Sequence, residues 1–210
     1  MLDGVDVRLP SSAHESHPWV ITDIASDFEL LDVWALPAEG TSGDFGSLLE
    51  MLASFDPAHA DSAATRALFA VRLRVGGWLG WDDATRRRAI PGCTETTLTA
   101  RLPEELHGSA KSPAMGGAIE RAAGGFTPLY RTDDEWAAEI SNETVHGVLH
   151  LGWVERGDGR YRGQMGIYVK PRGRLGRVYL ELIEPFRHLI VYPALMRQIG
   201  RAWDARAGAR

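Results

Sequence analysis

Cys93 is the only cysteine among 210 residues. An intramolecular disulfide and a cysteine-rich zinc site are therefore excluded. Lysine is almost as scarce: Lys111 and Lys170 stand alone among 23 basic residues. That arginine excess, alongside many alanines, reads as compositional bias rather than selection for phosphate contacts. Long apolar runs are missing too. The longest stretch without Asp, Glu, Lys or Arg is 144–154, eleven residues, against the ~20 that a spanning helix needs. The first ten residues carry Asp3, Asp6 and Arg8 and no apolar block, so no secretory signal is read and a cytoplasmic location is expected. The G-x-G-x-x-G, P-loop, G-x-S-x-G and H-E-x-x-H patterns are all absent, so the chemistries these motifs mark receive no support from the sequence. No cofactor, no metal and no nucleic-acid partner is expected.

What is present fits an ordinary globule, with 44% apolar and 24% charged residues. The net charge of −5 is uneven. Residues 156–210 hold 12 Lys/Arg against 4 Asp/Glu, and residues 1–155 hold 11 against 24. A basic C-terminal segment using Arg172, Arg174, Arg177, Arg187 and Arg197 offers one reading, a membrane-surface or protein-partner module. A solvated helix face is the plainer one.

Periodicity organises the chain. Residues 1–17 read as a loose N-terminus. Phe28 to Leu36 is an apolar, β-prone run stopped by Pro37. Asp44 can cap a short helix through Phe45, Leu48, Leu49 and Leu52. A second helix is predicted over 63–79, from Leu68, Val71, Val75, Trp78 and Leu79 at spacings of three and four. Thr96 to Leu102 reads as a strand ending at Pro103, and 103–125 as a flexible loop or insertion. From Phe126 onward, four strand-like runs alternate with short turns, which predicts an antiparallel meander. Leu175 to Arg206 then reads as one long helix. Leu175, Val178, Leu182, Phe186, Leu189, Met196 and Trp203 form its core-facing stripe, and Pro185 and Pro193 bend it.

This order, strand, two helices, antiparallel strands, long helix, predicts an α+β fold in one domain over 1–210. It resembles the helix-grip plan of START-like (SRPBCC) proteins, the superfamily of polyketide cyclases and of the birch-pollen allergen fold. That plan wraps a curved antiparallel β-sheet around a long bent C-terminal α-helix, with two shorter helices after the first strand. Residue by residue, the chain resembles a bacterial domain family of unknown function, number 2867 in its series. The matching stretches are His17-Pro18-Trp19, FELLDVWALP at 28–37, ALFAVRLRVGGWLGWDD at 67–83 and PLYRTDDEWAAEISNETVHGVLHLGWV at 128–154. The last and most specific is 160–203, with its K-P-x-G-x-L-G-R-x-Y and P-F. The resemblance implies a fold and transfers no catalytic residue.

The hairpin around Gly157-Asp158 decides which side chains share a face. An even-numbered loop sets His150 opposite Met165 and His146 opposite Val169. His146, Val148, His150, Tyr161, Met165 and Ile167 then all turn towards the C-terminal helix. A three-residue loop reverses one strand and puts both histidines on the other side. On the even register two imidazoles enter an apolar surface, with Gly152 and Gly163 leaving room beside them. Their spacing on a strand, roughly 13 Å, is too wide for one shared ion. These six residues, with Trp136 and Phe186, form the candidate site for a small hydrophobic ligand of lipid, polyketide or aromatic type. Satisfied core histidines are the bland alternative, and a cyclase, dehydratase or hydrolase acting through His146 or His150 the chemical one. Asp32, a carboxylate inside an apolar strand, is expected to meet a buried arginine or water at a sheet edge. Asp133-Asp134-Glu135 reads as an exposed turn.

Overall fold

A computed structural model describes residues 8–54, 88–110 and 126–208. Six antiparallel strands form one curved sheet: β1 (Arg8–Leu9), β2 (Glu29–Gly40), β3 (Thr127–Arg131), β4 (Glu135–Ser141), β5 (Val145–Gly157) and β6 (Arg160–Pro171). Their spatial order is β1-β2-β6-β5-β4-β3, so the meander predicted from Phe126 onward forms, and β2 closes against its last strand. Two short helices, α1 (Ser11–Glu15) and α2 (Val20–Ile24), precede β2, and α3 (Phe45–Ala53) follows it. The C-terminal helix runs 35 residues, as α4 (Gly173–Phe186), a π-helical segment (Arg187–Val191) and α5 (Tyr192–Ala207). The architecture is α+β, a curved sheet against a long C-terminal helix, consistent with helix-grip. The helix predicted over 63–79 lies outside the described residues.

The hairpin register overturns the expected faces. Its loop is the two-residue one, Asp158-Gly159, both with positive φ (55° and 70°) as a type I′ turn requires. Arg156, however, is an extra residue on β5, bulged between the pairs Glu155↔Tyr161 and Gly157↔Arg160. One bulged residue reverses parity along the whole strand. His150 lies opposite Gly166 and His146 opposite Lys170. His146, Val148 and His150 therefore occupy the opposite face from Tyr161, Met165 and Ile167.

Each face of the sheet carries a buried core. One core joins Trp34, Leu36, Trp136, Leu151, Trp153 and Met165 to α3 and to Tyr192, Met196 and Ile199 of α5. The other joins Val148, Tyr168, Ala137 and Tyr130 to Trp19, Ile21 and Ile24 of the N-terminal segment and to Ile90, Leu98 and Leu102. Residues 8–17, the described part of the expected loose N-terminus, are thus not loose: His14 is fully buried. Thr96 to Leu102 forms no strand. Thr97 caps a 3-10 turn over Leu98–Arg101 by accepting from the Thr99 amide, the local competition with β structure that threonine hydroxyls offer.

Three further expectations change. Pro37 does not stop β2, which continues to Gly40 through an irregularity between Ala35 and Glu39 that accommodates the missing amide. Asp44 precedes α3 as predicted, but its carboxylate turns back to the Thr41 amide and hydroxyl at 2.9 and 2.8 Å. The volume missing at Gly152 and Gly163 is filled by the chain itself. A Cβ on Gly152 would meet the Trp19 ring at 2.7 Å, and one on Gly163 would meet Leu36 at 3.0 Å, on the other face.

Candidate functional site

On the face covered by the N-terminal segment, β4 and β5 present two carboxylate–imidazole pairs. His150 Nε2 donates to Glu135 Oε2 at 2.9 Å, and His146 Nε2 meets Glu139 Oε2 at the same distance. All four side chains are buried. Glu135 also accepts from the Tyr130 hydroxyl at 2.8 Å and from the Val20 amide at 2.9 Å. Burial alone would raise Glu135, but the bonds from His150, Val20 and Tyr130 outweigh it and hold the carboxyl below its ordinary range. Burial pushes His150 down, so the imidazole is a neutral donor to an ionised acceptor. Burial and the neighbouring His150 push His14 down to about 4. Burial, then the Glu135 charge, drives the Tyr130 phenol up.

His14 completes this layer. Its Nδ1 lies 2.5 Å from Gln164 Oε1, and its ring stands edge-on to His150 with centroids 4.9 Å apart. Trp19 is 5.1 Å from His150. His14 Nε2, Trp19 Nε1, His146 Nδ1 and His150 Nδ1 are buried without a partner among the described residues. Glu139 is held from the other side by Thr97 Oγ1 and by the Leu98 amide at 3.0 Å. Asp133 and Asp134 are exposed as expected; Glu135 turns inward. Among the described residues no group of three or more His, Cys, Asp or Glu is placed to hold a metal ion. This layer is sealed: it offers lone pairs but no approach for a molecule.

The opposite face is different, and two irregularities build it. Leu31 is an extra residue on β2, between the pairs Leu30↔Tyr168 and Asp32↔Ile167. That bulge turns Asp32 from the face of Leu30 to the face beneath the C-terminal helix. Above it, the π-helical segment lies between Pro185 and Pro193. Neither proline has an amide to continue the regular ladder, and the wider turn aims Arg187 and His188 down at β2. His188 Nε2 donates to Asp32 Oδ1 at 2.6 Å, and the Tyr192 hydroxyl donates to Oδ2 at 3.2 Å. Arg8 and Arg187 approach the same carboxylate at 3.5 and 3.6 Å. Burial and the Asp32 charge raise the Tyr192 phenol. The Asp32 side chain is 0% exposed and that of His188 16%. Among the described residues the second imidazole nitrogen, Nδ1, has only Glu184 at 3.8 Å, and Arg187 Nε is buried with no partner. An open depression of about 420 Å3, lined by Arg8, Leu9, Pro10, Ser11, Leu31, Asp32 and Val33, lies at this sheet edge.

Next to Asp32 the sheet stays partly open. Ile167 pairs with Asp32, Leu149 with Ile167, and Ile140 with Gly147 two residues along β5. All three apolar side chains belong to the helix-side face of central or near-central strands, yet all are only half-buried. α4 approaches the turn between β4 and β5 closely at one point. Gly176 is its only buried residue, and a Cβ there would stand 2.1 Å from the Thr144 carbonyl oxygen. Leu180, Ile183 and Arg187 follow Gly176 at helical spacing and face the same way.

The structure thus divides the candidate residues chosen from the sequence. Trp136 and Met165 are buried in the helix-side core, Tyr161 and Ile167 pack half-buried against it, and Phe186 is 41% exposed on α4. His146, Val148 and His150 belong to the sealed layer. Leu175, Val178, Leu182 and Leu189, expected in the core, are 60–83% exposed. Among the arginines assigned to a basic face, Arg172 is tied to Asn142 O, Ala89 O and Ser141 Oγ, and Arg187 faces Asp32. His188 escapes sequence reasoning because its partner Asp32 is 156 residues away; the signal for it is the pair of prolines eight residues apart. No helix among the described residues is long and apolar enough to cross a membrane.

A family model described as protein of unknown function (DUF2867) matches residues 24–194, and the chain belongs to that family. No curated protein and no solved structure matches it.

Proposed function

We propose that this member of the family binds a small hydrophobic molecule carrying one polar end, lodged between α4 and the sheet. The lipid, polyketide and aromatic classes all meet that description. The observation that carries the reading is the half-buried apolar patch of Ile140, Leu149 and Ile167 on the helix-side face of the sheet, which runs up to the Asp32–His188 pair. Apolar side chains in the middle of a sheet are ordinarily covered completely, and an apolar hollow with a few convergent polar groups is the common form of a ligand site. Arg187 Nε and His188 Nδ1 supply the unspent polar groups. The resemblance to START-like helix-grip proteins adds support, because that plan encloses space between sheet and terminal helix.

The test combines two measurements. Titration with 1-anilinonaphthalene-8-sulfonate, an apolar probe with an anionic end, should give saturable fluorescence enhancement. Leu149→Trp, which fills the space under α4, should weaken it about tenfold with the fold intact. Native mass spectrometry of protein purified from its own host should reveal a co-purified small molecule. A flat titration with no co-purified molecule removes the reading.

A second reading is favoured by one contact, His188 Nε2 to Asp32 at 2.6 Å. A carboxylate that orients an imidazole leaves the other nitrogen able to take a proton from a bound molecule. The corresponding activity would be of the cyclase, dehydratase or hydrolase type, with His188 rather than His146 or His150 as its base. Asp32→Asn separates the two readings: retained probe binding with lost turnover supports an enzyme, and turnover unaffected by it eliminates His188 from that role.

A further inference from the structure

The outer flank of α4 and of the π-helical segment that follows it carries a stripe that the fold leaves uncovered. Leu175 is 83% exposed, Val178 60%, Leu182 77% and Leu189 76%, with Phe186 at 41% and Ile190 at 37% beside them. Leu175, Val178, Leu182 and Leu189 follow the three-and-four spacing of a helix–helix seam. The position that would continue the pattern between Leu182 and Leu189 is Pro185. A contiguous apolar surface of this kind marks an interaction site.

The charges bordering the stripe say what covers it. Arg174 and Arg177 lie in its first two turns, and Glu181 and Glu184 in the turns that follow. Arg174, Arg177 and Glu181 form no ion pair among the described residues, and Glu184 has only the 3.8 Å approach to His188. Arg174, Arg177, Val178 and Glu181 line an open groove of about 510 Å3 together with Pro171 and Gly173. The flank is therefore positive at one end and negative at the other, with one helical turn of ~6 Å between Arg177 and Glu181. Such a stripe is complementary to itself when reversed.

We propose that α4 is a homodimer interface, on which a second copy of this chain docks with its own α4 antiparallel. About a twofold axis near residue 179, Arg177 of each copy meets Glu181 of the other, and Arg174 meets Glu184. Leu175, Val178 and Leu182 close together across the axis. A parallel arrangement would set arginine against arginine. A twofold pair buries the same patch on both copies, which is what a closed isologous contact requires. The surface is separate from the ligand space under α4, since the stripe and the sheet-facing residues occupy different sides of the helix.

Sedimentation velocity on the full chain tests it. The wild type should sediment at twice the chain mass of 23.1 kDa. Leu175→Glu and Leu182→Glu, at positions that touch little within the chain, should sediment as monomers with unchanged circular dichroism. Arg177→Glu and Glu181→Arg should each weaken self-association about tenfold or more through like charges. An equimolar mixture of those two variants should restore the dimer, because only the mixed pair is complementary. A wild-type monomer at every concentration overturns the proposal, including one that binds anionic vesicles or another protein through this stripe. So does a dimer that survives both glutamate substitutions, or a mixture that stays monomeric.

Discussion

Glu135 is a single carboxylate with three donors and 3% exposure. Glu135→Gln replaces an acceptor by a group that is half donor, leaving the His150 and Tyr130 hydrogens in conflict with an amide. A loss of about 3 kcal/mol is expected in urea unfolding at neutral pH, the usual scale for buried donors stripped of an ionised partner. His14 gives a pH dependence. Its folded value of about 4 lies below the ordinary 6.5 because burial, then His150, disfavours the cation. Between those values the unfolded chain binds the proton and the folded chain does not, so stability is full above 6.5 and declines as pH falls towards 4. Up to about 3 kcal/mol depends on this one group. His150, shifted in the same direction, and Glu135, whose lowered value also favours the folded state above its unfolded range, steepen the decline. Chemical unfolding from pH 7 to 4 should show it, and His14→Phe should flatten the profile. Individual residues were the hardest part to read in advance. Nothing in the sequence marks Arg156 or Leu31 as bulges, yet the first removes both histidines from the helix side and the second brings Asp32 to it.

Elements were more legible than their faces. Alternation and turn residues located β3 to β6, because a strand needs only its period and its stops. Leu175 to Arg206 is legible as one helix, and its two prolines as an irregularity, because the lost amides are written in the sequence. The side of that helix that meets the sheet was not legible. Its apolar stripe obeys the same spacing whether it covers a core or awaits a second copy, and the small residue Gly176 marks the true contact. Gly176→Ala places a methyl where the Thr144 oxygen already sits. Thermal unfolding should register a loss of about 1–3 kcal/mol, with α4 displaced from the β4–β5 turn.

For the molecule as a whole, the unforeseen fact is that a curved sheet with one long helix has a second covering layer. Apolar residues on both faces of β4 and β5 are compatible with that, but sequence alone does not say which distant segment does the covering. Chemical footprinting makes the layering measurable. Diethylpyrocarbonate should modify His17 and His107, which are half-buried and exposed respectively, and spare His14, His146 and His150, each at 0% exposure. Mass spectrometry of the digested protein reads each site separately, and prompt labelling of His150 would contradict the sealed layer.

The notches left by Gly152 and Gly166 receive the Trp19 and His14 rings so closely that a Cβ on either glycine would stand 2.7 or 3.0 Å from them. A recess shaped this closely for one tenant remains shaped for it when the covalent link is severed. A chain shortened to begin at Phe28 should therefore lose the footprinting protection of His150, and a synthetic peptide spanning 8–27, added in trans, should restore it.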